Sequence, residues 1–423
     1  MRERSAASSS RGRSTSSGEV YAISCIHALV KLINKEDAAT LGDIIIAPQH
    51  PSFPIHQLTD EIASRNINNM VPPVWRPFAS ALFELKRNED SAKRLDLCIT
   101  LTKVTIDLCN TQPRWIYTIL FACCSKLKSD AMSCDLSESI EKCARVFSLS
   151  LRALMVEPEG LISPNQDSAV KLFIYFKVAT MLLGLYYRTK AFSLIRGVIT
   201  TTKPLAENPG LVNYLGCYNR LNWLYYSGVL NCIDQRFNAA TDQLTQAFNL
   251  LAADSIKCAQ IIMFYLIPLR LVTRREVPKA HDFPWKAWPA LEELYRPMLC
   301  AVRLGDYNAL LRIIEANKPF LVSKHLYVLC LKLVPICRVH LVRRAWAICG
   351  YPSMLDTQVI TKAFIFAGII TDSVDEDAAL QTTELFLATM IQDGDLMAVI
   401  YSSHKKLALK KQGAFPKIKQ LNI

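Results

Sequence analysis

A helical period that keeps returning constrains this chain more than any other feature. Apolar residues recur at three- and four-residue spacing over 19–33, 75–86, 91–110, 115–128, 137–156 and 167–187, without the every-second-residue alternation of half-exposed strands. Between these segments stand prolines, at 48–54, Pro72, Pro73, Pro113, Pro158, Pro164, Pro204 and Pro209. Such a string predicts antiparallel helix pairs stacked as an α-solenoid. Glycine usage agrees. Only 14 glycines serve 423 residues, too few for sandwiches, phosphate loops or long flexible linkers, so helices must be joined by short turns.

One repeat is legible over 221–254, roughly the 34 residues of a tetratricopeptide unit. Gly228 permits close helix approach, Phe237 follows the turn, and Ala240, Leu244 and Ala247 line the second helix. A second trace lies downstream, where Arg236-Phe237-Asn238-Ala239 returns as Asp306-Tyr307-Asn308-Ala309. That offset is close to two repeat lengths. The alternative is that aromatic-x-Ala is simply common at helix–turn–helix junctions.

The end of the chain reads differently. Helices are expected over 322–334, 341–349, 356–367 and 376–391, with Asp356 as an N-cap and Gly368 and Gly394 at C-caps. Residues 396–401 are β-branched and aromatic, and Leu407 and Leu409 alternate with lysines over 406–410, so the two segments pair as a hairpin. Helices followed by a two-stranded wing make a winged helix. The fold class is thus all-α: a TPR-like α-solenoid followed by a C-terminal winged helix. The expected divisions are a disordered Ser/Arg-rich tail at 1–18, N-terminal helical repeats at 19–210, further repeats at 211–320, the winged helix at 321–416 and a basic tail at 417–423.

Several function classes find no support. The N-terminal residues lack the apolar run of a secretory signal. The most apolar stretch, 172–187, contains Lys177 and is flanked by Lys171 and Arg188, short of a clean membrane span. Fourteen cysteines include no CxxC pair, so buried reduced thiols in an intracellular protein are expected. Cys330, Cys337 and His340 fall close together, but three ligands on irregular spacing make a poor metal motif. Nucleotide-binding, zinc-protease and serine-hydrolase signatures are missing. A non-enzyme without cofactor or metal is expected.

The net charge of +12 calls for a partner. After Asp395 no acidic residue occurs, while Lys405, Lys406, Lys410, Lys411, Lys417 and Lys419 follow. The wing lysines Lys405, Lys406, Lys410 and Lys411 could lie along phosphates, with Arg343, Arg344 and Lys362 on neighbouring helices. Arginine or asparagine placed for base edges is lacking, so sequence-specific DNA reading is not expected. The bland alternative is a solvated basic tail. A second basic cluster, Arg270, Arg274 and Arg275 ahead of Trp285 and Trp288, suits an acidic, aromatic-bearing peptide.

At this point the residues resemble a known family. Tyr225-Tyr226-Ser227-Gly228, Arg236-Phe237-Asn238-Ala239-Ala240 and Ala247-Phe248 resemble the opening helices of one branch of the PCI-domain family. Tyr265-Leu266-Ile267-Pro268 is similar to its Tyr-Leu-apolar-Pro segment, and Leu341-Val342-Arg343-Arg344 to its apolar pair with two basic residues. His404-Lys405-Lys406-Leu407, Lys411-Gln412 and Phe415-Pro416 resemble its wing and tail. The resemblance covers 212–416. That branch holds the PCI subunit of the TREX-2 messenger RNA export complex and a signalosome-associated relative. The resemblance implies a scaffold subunit in the nucleus at the nuclear pore. It would pack against a large PCI-like helical scaffold protein, be stabilised by a small acidic protein, and offer a basic surface to RNA or DNA. An assembly subunit of a proteasome-lid or signalosome-like particle, without nucleic acid, is the alternative.

Overall fold

The computed structural model describes residues 17–47, 60–88, 90–133, 137–155, 166–278, 285–371, 375–415 and 419–421. The chain divides into two compact units, Met1–Arg220 and Leu221–Ile423. Of the tail expected at 1–18, only Ser17 and Gly18 are described, and they open the first helix. The proline turn at 48–54 and residues 417–418 and 422–423 lie outside the described residues.

The first unit runs α1 (Ser17–Asn34), α2 (Ala38–Ile46), α3 (Asp60–Met70), α4 (Arg76–Arg87), α5 (Ser91–Leu108), α6 (Trp115–Ser133), α7 (Ser137–Ala153), α8 (Gln166–Arg188), α9 (Phe192–Ala206) and α10 (Val212–Leu215). Helix α6 packs against α2, α5, α7 and α8, so it is apolar nearly all round, as a helix walled in by others must be. It buries Ile116, Ile119, Leu120, Cys123 and Leu127. Burial pushes the Cys123 thiol up to about 12, so it stays protonated and packs as a small hydrophobe. Helix α8 and a later helix, Ile256–Arg274, are long and apolar enough to cross a membrane. In α8, Leu172, Ile174, Phe176 and Leu183 are buried.

Chain reversal follows one recurring geometry. Glu36, Lys190, Gln235 and Gly305 take the left-handed conformation at φ 54, 58, 59 and 68°. In each case the next amide donates back to the last turn of the helix: Asp37 to Leu32 O at 3.0 Å, Ala191 to Tyr186 O at 2.9 Å, Arg236 to Asn231 O at 2.8 Å and Asp306 to Ala301 O at 2.9 Å. This satisfies carbonyls that the helix end would leave orphaned. The next helix begins one residue later, at Ala38, Phe192, Phe237 and Tyr307. The twin motifs at 236–239 and 306–309 are therefore the same turn. Three of the four sites carry a side chain where glycine would be easier, at a cost of about 1 kcal/mol each. That is how so few glycines suffice.

Helix α11 (Cys217–Ile233) leads into the second unit, followed by α12 (Phe237–Asn249), α13 (Ile256–Arg274), β1 (Glu276–Pro278), α14 (Pro289–Leu304), α15 (Tyr307–Ala316), α16 (Lys318–Ser323), α17 (Tyr327–Leu331) and α18 (Leu333–Ile348). The expected breaks at 334 and 341 are corrected: α18 is continuous, because Pro335 sits in its first turn, where a missing N–H costs nothing. Then come β2 (Met354–Asp356), α19 (Thr357–Phe366), α20 (Glu376–Gln392), β3 (Ala398–Tyr401), β4 (Lys406–Leu409) and β5 (Lys419–Leu421). The expected hairpin is present as β3 and β4, joined by β2 into an antiparallel sheet of order β2-β4-β3. Asp356 caps α19 by accepting from Gln358 N at 2.9 Å, and Gly368 and Gly394 are left-handed at φ 67 and 75°. The winged-helix core gathers Val342, Leu355, Ile360, Phe364, Leu387, Leu396, Leu407 and Leu409. Strand β5 pairs in parallel with β1, which returns the end of the chain to the close of α13.

Gly228 is needed for space. A Cβ there would lie 2.6 Å from Leu244 Cγ, and Ala240, Leu244 and Ala247 are fully buried beneath it. Although alanine favours helices, Gly228→Ala should lower stability by about 1–3 kcal/mol. Combined with Leu244→Ala, the loss should fall below the sum of the single losses in denaturant unfolding. Strict additivity would show that α11 and α12 do not meet at this point.

Candidate nucleic-acid interface

Strand β4 places the wing lysines. Leu407 and Leu409 turn into the core, so Lys406 and the following Lys410 face outward with Ala408. Lys405 occupies the hairpin tip at φ 51°, and its carbonyl accepts from Thr357 N at 2.9 Å. Its ammonium lies 3.4 Å from Asp377 Oδ1, an exposed pair. Lys406, Lys410 and Lys411 are exposed and without an ion pair among the described residues. Lys362 is exposed on α19. Arg343 and Arg344 are exposed on α18, where the Arg344 guanidinium donates to Leu304 O at 3.1 Å.

The register brings out residues the sequence reading missed. Asp356, Lys406 and Tyr401 form one cross-strand row, and Met354, Ala408 and Val399 form the next. On this outer face Met354 is 47%, Met397 47%, Val399 57% and Tyr401 45% exposed. The wing is therefore a partly apolar platform with lysines at its margin, not a purely basic strip. The signal was present in the alternation of Met397, Val399 and Tyr401, but the short strand β2 that completes the face has too few residues for a period.

The third helix of the winged helix, α20, contains no lysine or arginine and opens with Glu376 and Asp377. Those carboxylates suit the positive end of the helix dipole, and they repel a phosphate backbone.

In the second predicted cluster the two tryptophans are buried, Arg270 and Arg275 are partly buried, and Arg274 is exposed. Trp285 and Trp288 are buried, and the Trp288 indole donates to Ile256 O at 3.2 Å. The Arg270 guanidinium lies 4.0 Å from Glu276 and donates to Thr245 Oγ1 at 3.3 Å. Arg274 pairs with Asp242 at 2.7 Å, and Arg275 pairs with Asp395. Each arginine is thus matched by a carboxylate of its own unit. These pairs tie the close of α13 to its neighbours.

Arg275 meets Arg343 around a small cavity that also touches His340, Asp395 and Phe415. Burial, then the nearby Arg343 and Arg275 charges, depress the His340 imidazole to about 4, with Asp395 opposing and Arg303 adding to the depression. A neutral His340 spares this site a third positive charge. Cys330 and Cys337 are buried thiols pushed up to about 12 by burial. Among the described residues no metal-ligating group forms around them.

Because the folded imidazole titrates below the unfolded value, the unfolded chain binds more protons between the two. Stability should therefore fall on acidification, by about 1 kcal/mol from about pH 7 to about pH 5 after allowance for solvent screening. His340→Gln should remove that component from the pH dependence of denaturant unfolding. An unchanged slope would show that His340 is not held neutral.

No family model matches the chain. Among curated proteins, it is 23% identical over 294 residues to the Neurospora crassa Protein CSN12 homolog, a match covering 66% of this chain and 62% of that protein. It is 22% identical over 352 residues to COP9 signalosome complex subunit 12 of Eremothecium gossypii, covering 78% and 84% respectively. The PCI domain-containing protein 2 homolog of Drosophila melanogaster is 20% identical over 315 residues, covering 72% and 73%. The chain thus spans less than two thirds of the Neurospora relative.

Proposed function

We propose that this chain, a distant homologue of the CSN12 and PCI domain-containing protein 2 family, is a non-catalytic scaffold subunit of a complex that couples transcription to messenger RNA export. The observation that carries this reading is the wing, where unpaired Lys406, Lys410 and Lys411 border an exposed face bearing Tyr401. Lysines follow phosphates without reading sequence, and an exposed tyrosine offers a stacking surface to an unpaired base. Single-stranded RNA fits this combination better than a duplex, whose major groove would bring phosphates to the acidic start of α20. The partners follow from the resemblance: a large PCI-like helical scaffold protein and a small acidic stabilising protein, in the nucleus at the nuclear pore.

A second reading is an assembly subunit of a signalosome or proteasome-lid-like particle without nucleic acid. Relatives that bear the name COP9 signalosome complex subunit 12 favour it. So does the apolar share of the wing face at Met354, Met397 and Val399, which a neighbouring subunit would cover.

Charge reversal at Lys405, Lys406, Lys410 and Lys411 should weaken retention of single-stranded RNA on filters at moderate salt while leaving the circular dichroism unchanged. The log–log salt slope should fall by roughly 2, for three free lysines at about 0.7 each. Tyr401→Ala alone should weaken retention by about tenfold. Unchanged retention in both variants, together with recovery of signalosome or lid subunits on affinity purification, would move the function to the second reading.

A further inference from the structure

The first unit carries a groove of about 600 Å³ that the winged helix does not involve. Its floor is the α7 stripe of Ile140, Ala144 and Ser148, spaced four residues apart on one face. Ile140 and Ala144 are buried. The Ser148 hydroxyl donates to Ala144 O at 3.0 Å. Across the groove the Thr189 hydroxyl donates to Tyr186 O at 3.2 Å. Both hydroxyl protons are committed to their own helices, so the floor presents little to a sugar or a nucleobase.

The rims are apolar and cationic. Leu149 on α7 and Leu194 on α9 line the groove and are 42% and 50% exposed. Arg145 and Arg152 line the same edge of α7, and Lys190 stands between the lining residues Thr189 and Ala191. All three cations are exposed, and none has an ion pair among the described residues. Their neighbours Glu138 and Lys142 on the same helix do pair, at 3.4 Å. Glu141 is the one carboxylate among the lining residues. From Ile140 to Arg152 the groove edge follows about 18 Å of helix, three turns and more.

We propose that this groove docks an acidic amphipathic helix of a partner protein. Its apolar side chains lie on the small-residue floor at Ala144 and Ser148 between Leu149 and Leu194. Its carboxylates face Arg145, Arg152 and Lys190. Small residues on the floor let a helix approach closely, and the rim, net positive despite Glu141, selects the sign of its polar face. This inference does not rest on the RNA reading of the wing.

The test uses the full-length protein and two fluorescein-labelled peptides of about four helical turns. One has leucines at helical spacing with glutamates elsewhere, and its twin has lysines in place of the glutamates. The glutamate peptide should bind saturably in anisotropy titrations, and the lysine twin at least about tenfold more weakly. Arg145→Glu with Arg152→Glu should reverse that preference, and Leu149→Asp should weaken the glutamate peptide. A photo-crosslinker in the glutamate peptide should label α7, α8 or α9. These side chains are exposed, so the variants should keep the wild-type melting curve, and RNA retention by the wing should not change. The proposal is overturned by absence of saturable binding, by equal binding of both peptides, or by cross-links in the second unit. Loss of RNA retention in the Arg145→Glu/Arg152→Glu variant would also overturn it, because the rim would then be a nucleic-acid surface.

Discussion

A helix that must reverse direction within two residues leaves its last carbonyls without partners. Everything else in this chain depends on how that is solved. The left-handed residue at Glu36, Lys190, Gln235 or Gly305 turns the following amide back onto the helix it has just left. The reversal is then short enough for consecutive helices to lie side by side and bury each other's apolar stripes. At Gly228 the same economy appears between α11 and α12, where the missing Cβ lets Leu244 fill the space. Turn and contact act together, since a tight turn is useful only when the helices it joins can approach.

Within the second unit, charge is divided between inward and outward use. Arg270, Arg274 and Arg275 are tied to Glu276, Asp242 and Asp395, and His340 beside Arg275 and Arg343 is held neutral by burial and by those cations. Half-buried cations carry a desolvation cost that a nearby carboxylate offsets. The wing lysines, on β4 and its two ends, are exposed to open solvent and need no such offset. These arginine–carboxylate pairs add nothing to the net charge of +12, so the excess rests on other cations, among them the wing lysines that the register of β4 leaves outside. A net charge says that a partner is needed; pairing inside the fold says which residues remain to meet it.

Much of this architecture was legible because periodicity reports a face directly. The helices at 75–86, 115–128 and 167–187, the caps at Asp356, Gly368 and Gly394, and the alternation of Leu407 and Leu409 each express a local rule. The misses have physical causes as well. Helix α3 is too polar to stand out, β2 is three residues long, and Pro335 reads as a break although it falls in a first turn. Trp285 and Trp288 looked like anchors for a peptide because sequence reports that an aromatic residue will be covered, not what will cover it.

The sequence by itself determined that this chain is helical, reverses often, has little glycine to do so and ends in a basic hairpin. Those properties follow from spacing and composition, which act over a few residues. Only the tertiary structure decided which arginines are matched by carboxylates distant in the chain, as Arg275 is by Asp395. It also decided that Tyr401 lies beside Lys406 on an open face and that α7 and α9 leave a cationic groove between them. Those outcomes depend on which surfaces come into contact after the helices stack, and a charge or a leucine has the same local signature whether its partner is inside the fold or outside it.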